Sequence, residues 1–393
     1  MRLAYYRIIM PMQKLAEKYP DDVEIRFNSN PLGIDPETRK QSEDWTPADF
    51  EWADIVFTQN IHNFGGMYTM NLLKTAAEHG CFTHFDTDDL LTDLYEGHRL
   101  YDVYKEHKLD EVTKFIYNNV DLVTVTQRKF AERIMPFVRN ALVVIKNAID
   151  FELPCWNVPR TTAKPVRVGW VGGIHHDVDV KQFAKVPLGV NSRVGVENVH
   201  WGFYGRPPVQ MKDDGTPDQD WQQDVWDGYE KVMAAGLVGR SKNYGIFPAM
   251  PAHDYGKMFS QIDVAVAPLE PNNFNDSKSE IKAIEAGHYG IPLICTDIGC
   301  YDEIITNGET GFLIPPDNKY GTWVKTLTKV CKDRKLIKHM GQNLKKIVDE
   351  NYDINKIIGG RLELYQQLLE AKAKAVEIAV QRQEAHEQGS PLP

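Results

Sequence analysis

Three residues in the stretch Phe274–Asp297 have the types and spacing that phosphate chemistry needs: Lys278, Lys282 and Glu285. With Asp276 or Ser277 as an N-cap, the pattern predicts a helix from Lys278 to about His288. Positions 278, 282 and 285 then fall at i, i+4 and i+7, on one face. Two cations would stand beside the free amides of a helix N-terminus, an arrangement that suits a diphosphate. A carboxylate one turn deeper can accept hydrogen bonds from a ribose diol. The competing reading is a solvated Lys/Glu face. Context favours the binding reading, because an apolar strand (Asp263–Ala267) and a polar loop (Glu270–Asn275) lead into the helix. The helix therefore starts at the carboxyl edge of a sheet, where open α/β folds bind ligands.

Other residues suit the same chemistry on weaker patterns. Gly172 and Gly173 follow a strand and either admit a phosphate to the backbone or make a tight turn. Arg206 ends the strand-like HWGFYGR and either reaches a phosphate with its fork or lies on the surface. Asp86, Asp88 and Asp89 follow another strand. Such a cluster holds Mg²⁺ or Mn²⁺ in some proteins, caps a helix in others, or faces a cleft to bind or deprotonate an acceptor. The spacing lacks the glycine of an EF-hand loop, and the expected role is at the acceptor. His62, in TQNIHNFGG, sits at a strand end and is a further acceptor-side candidate. Trp201, Trp221 and Trp226 are expected to pack or anchor loops rather than stack on ligands.

The elements that must position these residues alternate. Strands are expected at Arg2–Met10, Asp54–Thr58, Cys81–Phe85, Asp121–Thr126 and Leu142–Lys146, and helices at Met67–His79, Lys105–Asn118 and Gln127–Phe137. The proline-rich stretch 154–165 is a linker. A second series follows: Val166–Val171, Val199–Tyr204, Gly245–Pro248, Asp263–Ala267 and Pro292–Cys295. Pro207–Asp227 has the texture of an inserted loop. One long helical stretch runs from about 354 to 388, and 389–393 is an expected disordered tail. The layout predicts an α/β protein of two Rossmann-like domains, 1–153 and 166–353, facing each other across a cleft.

The 393 residues allow two or three domains. The net charge is −10, and the first 150 residues carry 17 Lys+Arg against 24 Asp+Glu. Both weigh against non-specific binding to nucleic acid or acidic membranes. No run is long and apolar enough for a membrane span, and the N-terminus lacks a signal-peptide layout. Five scattered cysteines without a CxxC point to reduced thiols in a cytoplasmic protein and away from a zinc site.

The segment FNDSKSEIKAIE resembles the donor site of family-4 glycosyltransferases of the GT-B fold, in a branch with an FN-x-x-KS-x-x-K-x-x-E pattern found in bacteria and bacteriophages. IGCYDEIITNGETGFLIPPD (Ile298–Asp317), VRVGWVGGIHHDVDV (Val166–Val180), HFDTDDLL, DLVTVTQ and VIKNAID resemble the same family. The resemblance implies transfer of a sugar from a nucleotide-diphosphate donor, UDP-sugar favoured, with retention and without a metal or other cofactor. The second domain binds the donor, the first binds the acceptor, and the last helix returns to the first domain. It places His176 and Asp179 near the donor with Asp276, Ser277, Lys278, Lys282 and Glu285, beside the candidates Gly172, Gly173 and Arg206 read from their own positions. Lys278 and Lys282, with Asp86, Asp88 and His62 across the cleft, would carry catalysis. Many members have two glutamates eight positions apart; Ser277 replaces the first, so Asp276 or backbone amides must take over its contact. The acceptor stays open among a glycan, a lipid, a small molecule and a hydroxylated base in phage DNA, and the oligomeric state is not readable. Two other readings share the donor site: a sugar-nucleotide epimerase and a non-catalytic nucleotide-sugar-binding protein.

Overall fold

The computed structural model describes residues 5–35, 37–59, 66–212, 217–218, 221–237, 243–317 and 319–387. Its N-terminus corrects the first expected strand. Tyr5–Ile9 is a π-helical turn that runs into helix α1 (Met10–Lys18). A short apolar run fits a strand or a helix equally. Here Ile8, Met12 and Leu15, spaced i, i+4 and i+7, pack one face against Phe82, Leu122 and Ala148.

After α2 (Ala48–Trp52) come β1 (Ile55–Gln59), α3 (Met67–Glu78), β2 (Phe82–Asp86), α4 (Tyr101–Glu106), α5 (Leu109–Asn119), β3 (Leu122–Val125), α6 (Arg128–Ile134) and β4 (Ala141–Val144). The strands form a parallel sheet in the order β1-β2-β3-β4. The helix expected at Lys105–Asn118 is two helices, broken at Lys108, whose φ is +51°.

The second half holds β5 (Val166–Val171), α7 (Asp179–Gln182), α8 (Val186–Val194), β6 (Val199–Arg206), a small hairpin of β7 (Gln210–Met211) and β8 (Pro217–Asp218), α9 (Trp221–Met233), β9 (Tyr244–Pro248), β10 (Val264–Ala267), α10 (Asn273–Asp276), α11 (Ile281–His288), β11 (Leu293–Thr296) and β12 (Gly311–Ile314). The region expected as an inserted loop thus contributes the hairpin and the start of α9. Trp226 on that helix is fully buried, as is Trp201 in β6. The six large strands form a parallel sheet in the order β12-β11-β10-β5-β6-β9. From β5 the chain builds outward through β6 to β9, then returns to the other side with β10. The order reverses between β5 and β10, so a crevice opens at the carboxyl ends of these two strands.

Helices α12 (Lys319–Lys332), α13 (Arg334–Asn351), α14 (Ile354–Ile357) and α15 (Gly359–Glu387) complete the chain. Helix α15 lies on the first sheet's domain. Tyr365 bonds His84 Nδ1 at 3.0 Å, Arg361 donates to the carbonyl of Arg7 at 3.2 Å, and Lys372 donates to the carbonyl of Cys81 at 2.9 Å. Two parallel-sheet domains with a returning C-terminal helix make this the GT-B architecture.

Candidate active site

A cavity of about 320 Å³ lies between the two domains, at the crevice between β5 and β10. A larger notch of about 730 Å³ lies between α15 and the Phe50–Asp54 edge. Its lysine, Lys372, is already committed to the Cys81 carbonyl and the Asp121 carboxylate. Volume therefore does not mark the site; converging chemistry does.

Lys278 and Lys282 both line the interdomain cavity, though not on one helix as expected. The stretch after β10 first makes the short α10, capped by Asn272, whose side chain accepts from Asn275 N at 2.8 Å. Lys278 lies in the following turn, and α11 starts only at Ile281. Ser277 spends its hydroxyl on the Asn273 carbonyl, 2.8 Å away, and is fully buried. A helix from Lys278 is therefore replaced by a turn that still presents both cations to the cleft.

Each cation has a carboxylate anchor. The Lys282 ammonium donates to Glu285 Oε2 at 3.2 Å and to the Tyr255 hydroxyl at 3.1 Å, while that hydroxyl donates to the same Glu285 oxygen at 3.3 Å. Lys278 Nζ stands 3.9 Å from Asp179 Oδ2 and 4.9 Å from the centre of the Phe274 ring. Asp179 is a buried hub. It accepts from His176 Nδ1 at 2.7 Å, Asn275 Nδ2 at 2.7 Å and the Glu270 backbone at 2.8 Å. Burial pushes its carboxyl up, but Lys278 and the His176 hydrogen bond outweigh this and hold it below the usual range. Burial, then Lys278, pushes His176 down against the pull of Asp179.

The glycines divide the work. A Cβ on Gly172 would sit 2.2 Å from the Trp170 ring, so this residue is needed for packing. Gly173 lines the cavity and has open space before it. Gly299, after β11, takes φ +70° and lies close under the Lys278 carbonyl, letting the turn that carries the lysine sit down on the sheet edge.

Three sequence candidates lie elsewhere. Arg206 pairs with Gln223 at 2.9 Å and Asp227 at 2.6 Å on α9 and does not line the cavity. Asp276 binds Arg133 at 2.6 Å and Lys129 at 3.4 Å from the first domain, and accepts the Gly299 amide at 3.0 Å. It bridges the domains and is not on the cavity wall. Asp86 does not face the cleft as expected. It is fully buried in a fork with Arg7, whose Nε donates at 3.0 Å, and it accepts from Thr124 at 2.6 Å. Asp88 and Asp89 do line the cavity, from the first domain. His62 lies outside the described residues.

Sequence reasoning missed several first-domain contributors. Asn147 lines the cleft and donates to the Ser279 hydroxyl at 2.8 Å. Gln127 donates to the Asp276 carbonyl at 2.8 Å. His98 of the first domain and Tyr255 of the second also line the cavity. Asn147 and His98 sit in loops with no periodic signal and Gln127 caps a helix, and only the docked domains bring these three to the lysines. Among the described residues no group of three or more His, Cys, Asp or Glu is arranged to hold a metal, and no helix is long and apolar enough to cross a membrane.

Comparison with known proteins agrees with this architecture. Residues 234–347 match the family "Glycosyl transferases group 1", and these residues carry Lys278, Lys282 and Glu285. YtcC of Bacillus subtilis (strain 168), which carries a glycosyltransferase name, is 27% identical over 125 residues. That match spans 32% of this chain and 30% of YtcC, so it covers under a third of either protein. Sucrose-phosphate synthase from Thermosynechococcus elongatus superposes with a TM-score of 0.63 at 17% identity, covering 92% of both chains. Anabaena Alr3699/HepE, solved with UDP and glucose, gives 0.58 at 14% identity over 81% of this chain and 80% of its own. S. aureus TarM, solved with UDP, gives 0.52 at 15% identity over 74% of this chain and 51% of that one. These likenesses concern the fold.

Proposed function

We propose that the protein is a glycosyltransferase that moves a sugar from a nucleotide-diphosphate donor to an acceptor hydroxyl, with retention and without a metal. One observation carries the reading: Lys278 and Lys282 converge at the reversal point between β5 and β10, in an interdomain cleft that carboxylates of the first domain also line.

Departure of a nucleoside diphosphate builds negative charge on the leaving oxygens. Preorganised cations beside that charge stabilise the transition state more than the ground state. Lys278 and Lys282 serve this role, held ready by Asp179 and Glu285. The first turn of α11 adds amides without intrahelical partners. Two ammonium groups and a helix end supply what a divalent cation supplies elsewhere, so the scheme routes no step through a metal. Glu285 has its other oxygen for a ribose diol. The donor base is taken as uracil, in keeping with the UDP bound by Alr3699/HepE and TarM.

The acceptor enters from the side of Asp88, Asp89 and Asn147. Carboxylates bind hydroxyl-rich molecules well and repel polyanions, so a glycan acceptor fits better than modified DNA. Attack from the leaving-group face gives retention, with the departing phosphate taking the acceptor proton.

The test is transfer of radiolabelled glucose from UDP-glucose to a panel of oligosaccharides with EDTA present, followed by NMR of the product's anomeric proton. An α-linked product formed at full rate in EDTA supports the proposal. Release of free glucose alone, a β-linked product, or dependence on added Mn²⁺ would overturn the part of the scheme it contradicts.

A further inference from the structure

His98 lies in the loop before α4, far in sequence from the lysines, yet the residue is only 6% exposed and lines the cleft cavity. It is held on several sides. Phe274 packs against it with ring centres 4.8 Å apart, Tyr95 meets it edge-on at 5.3 Å, and His175 of the second domain stacks on it at 5.8 Å with planes 13° apart. Packing of this kind fixes the direction of both ring nitrogens.

The tautomer follows from one backbone contact. The Leu100 amide donates to His98 Nδ1 at 3.2 Å, so Nδ1 carries the lone pair. In the neutral ring the proton must then sit on Nε2. Burial, His175 and Lys278 push the imidazolium down to about 4, against the opposing pull of Asp177 and Asp179, so the ring is neutral at physiological pH. Nε2 has no hydrogen-bond partner among the described residues. A buried N–H without an acceptor is unfavourable, and such groups are rare unless something else completes them.

Resting on the donor reading above, we propose that His98 is a specificity-determining residue whose Nε2–H donates to a hydroxyl of the sugar being transferred. The position favours the sugar over the acceptor. His98 packs on Phe274 and His175, and Phe274 is the ring over which the Lys278 ammonium sits. It therefore stands at the donor's side of the cleft, next to the expected diphosphate. The chemistry favours a hydroxyl over a phosphate oxygen. A neutral donor in a site that suppresses its own positive charge suits an uncharged acceptor, and the diphosphate already has two ammonium groups. The first domain would thus read the sugar while the second holds the nucleotide.

The experiment compares wild type, His98→Phe and His98→Gln by calorimetric titration with UDP, GDP and ADP and with their glucose conjugates. Phe keeps the stacked ring and loses the donor; Gln keeps a donor. Thermal denaturation of each variant reports folding. The expected result is nucleoside diphosphate affinity within about twofold of wild type for both variants. Affinity for the matching sugar nucleotide should fall about tenfold in His98→Phe and recover in part in His98→Gln, the scale of one neutral hydrogen bond. An equal loss for the diphosphate and its sugar conjugate would place His98 on the phosphate and overturn the inference. No loss for either in a folded variant would overturn it too. Wild type that binds none of the six ligands would instead remove the donor reading itself, and the inference with it.

Discussion

Replacing Lys282 by Met tests the clamp and its anchor together. Glu285 is 2% exposed, and the Lys282 ammonium and the Tyr255 hydroxyl share its Oε2. Without the ammonium, a nearly buried carboxylate keeps a single neutral donor on that oxygen. Breaking a fully buried pair in this way costs about 3–5 kcal/mol. The Lys282 side chain is 25% exposed, so water reaches that end of the pair. The expected loss is therefore smaller, about 2 kcal/mol. For a domain of this size that lowers Tm by about 4–8 °C. Losing a charge-assisted contact to the diphosphate weakens UDP binding by roughly 10–100-fold. Adding Glu285→Gln to Lys282→Met removes the stranded charge and should restore most of the Tm without restoring UDP affinity. Scanning fluorimetry and calorimetric titration read the two effects separately. Full UDP affinity in Lys282→Met would show that the residue is not part of a diphosphate clamp. A double variant no more stable than the single one would refute the stranded-carboxylate argument.

The remaining predictions concern buried charge. Asp86→Asn strands the Arg7 guanidinium and should cost about 3–5 kcal/mol in urea denaturation, with Asp86→Asn/Arg7→Met regaining much of it. Asp179→Asn loosens both Lys278 and His176, so UDP affinity by titration should fall by about tenfold, the effect of losing one charged partner. Asp179 has a folded pKa below its unfolded one, so its contribution is present above about pH 4 and lost as pH falls further through the folded value. His98 moves the other window. Its folded pKa, about 4, lies below the unfolded 6.5, so the unfolded chain binds more protons between them. Stability is full above pH 6.5 and lost as pH falls toward 4, by up to roughly 2–3 kcal/mol. Urea titrations at pH 7 and pH 4.5 should show a smaller drop for His98→Phe than for wild type.

The lysine side of the candidate site was legible in the sequence because its signals are local. Short apolar runs alternating with helical patterns reported a parallel sheet, and β5 begins and ends where the pattern placed it, at Val166 and Val171. Lys278, Lys282 and Glu285 lie within eight positions of each other, so any compact backbone would bring them close. Even there the local geometry was misjudged. Asn272 caps α10, Ser277 bonds backward to Asn273, and the chain turns once more before α11 begins. Competing side-chain bonds of this kind are short-range, but composition does not rank them.

What only the tertiary structure decided is where buried charges point. Asp86, Asp88 and Asp89 are equivalent in sequence. Arg7 comes from a segment that folds as a helix, and it takes Asp86 into the core and leaves the other two at the cleft. Arg206 ends its strand as expected, but α9 supplies Asp227 and Gln223 and turns its fork away from the cavity. Asp276, expected at the donor, and His98, not singled out in the sequence, owe their surroundings to the same cause. Domain docking gives Arg133 to Asp276 and buries His98 against Phe274 and His175. A side chain's partner across 75 or 150 residues depends on which surfaces meet, and that depends on burying both cores at once.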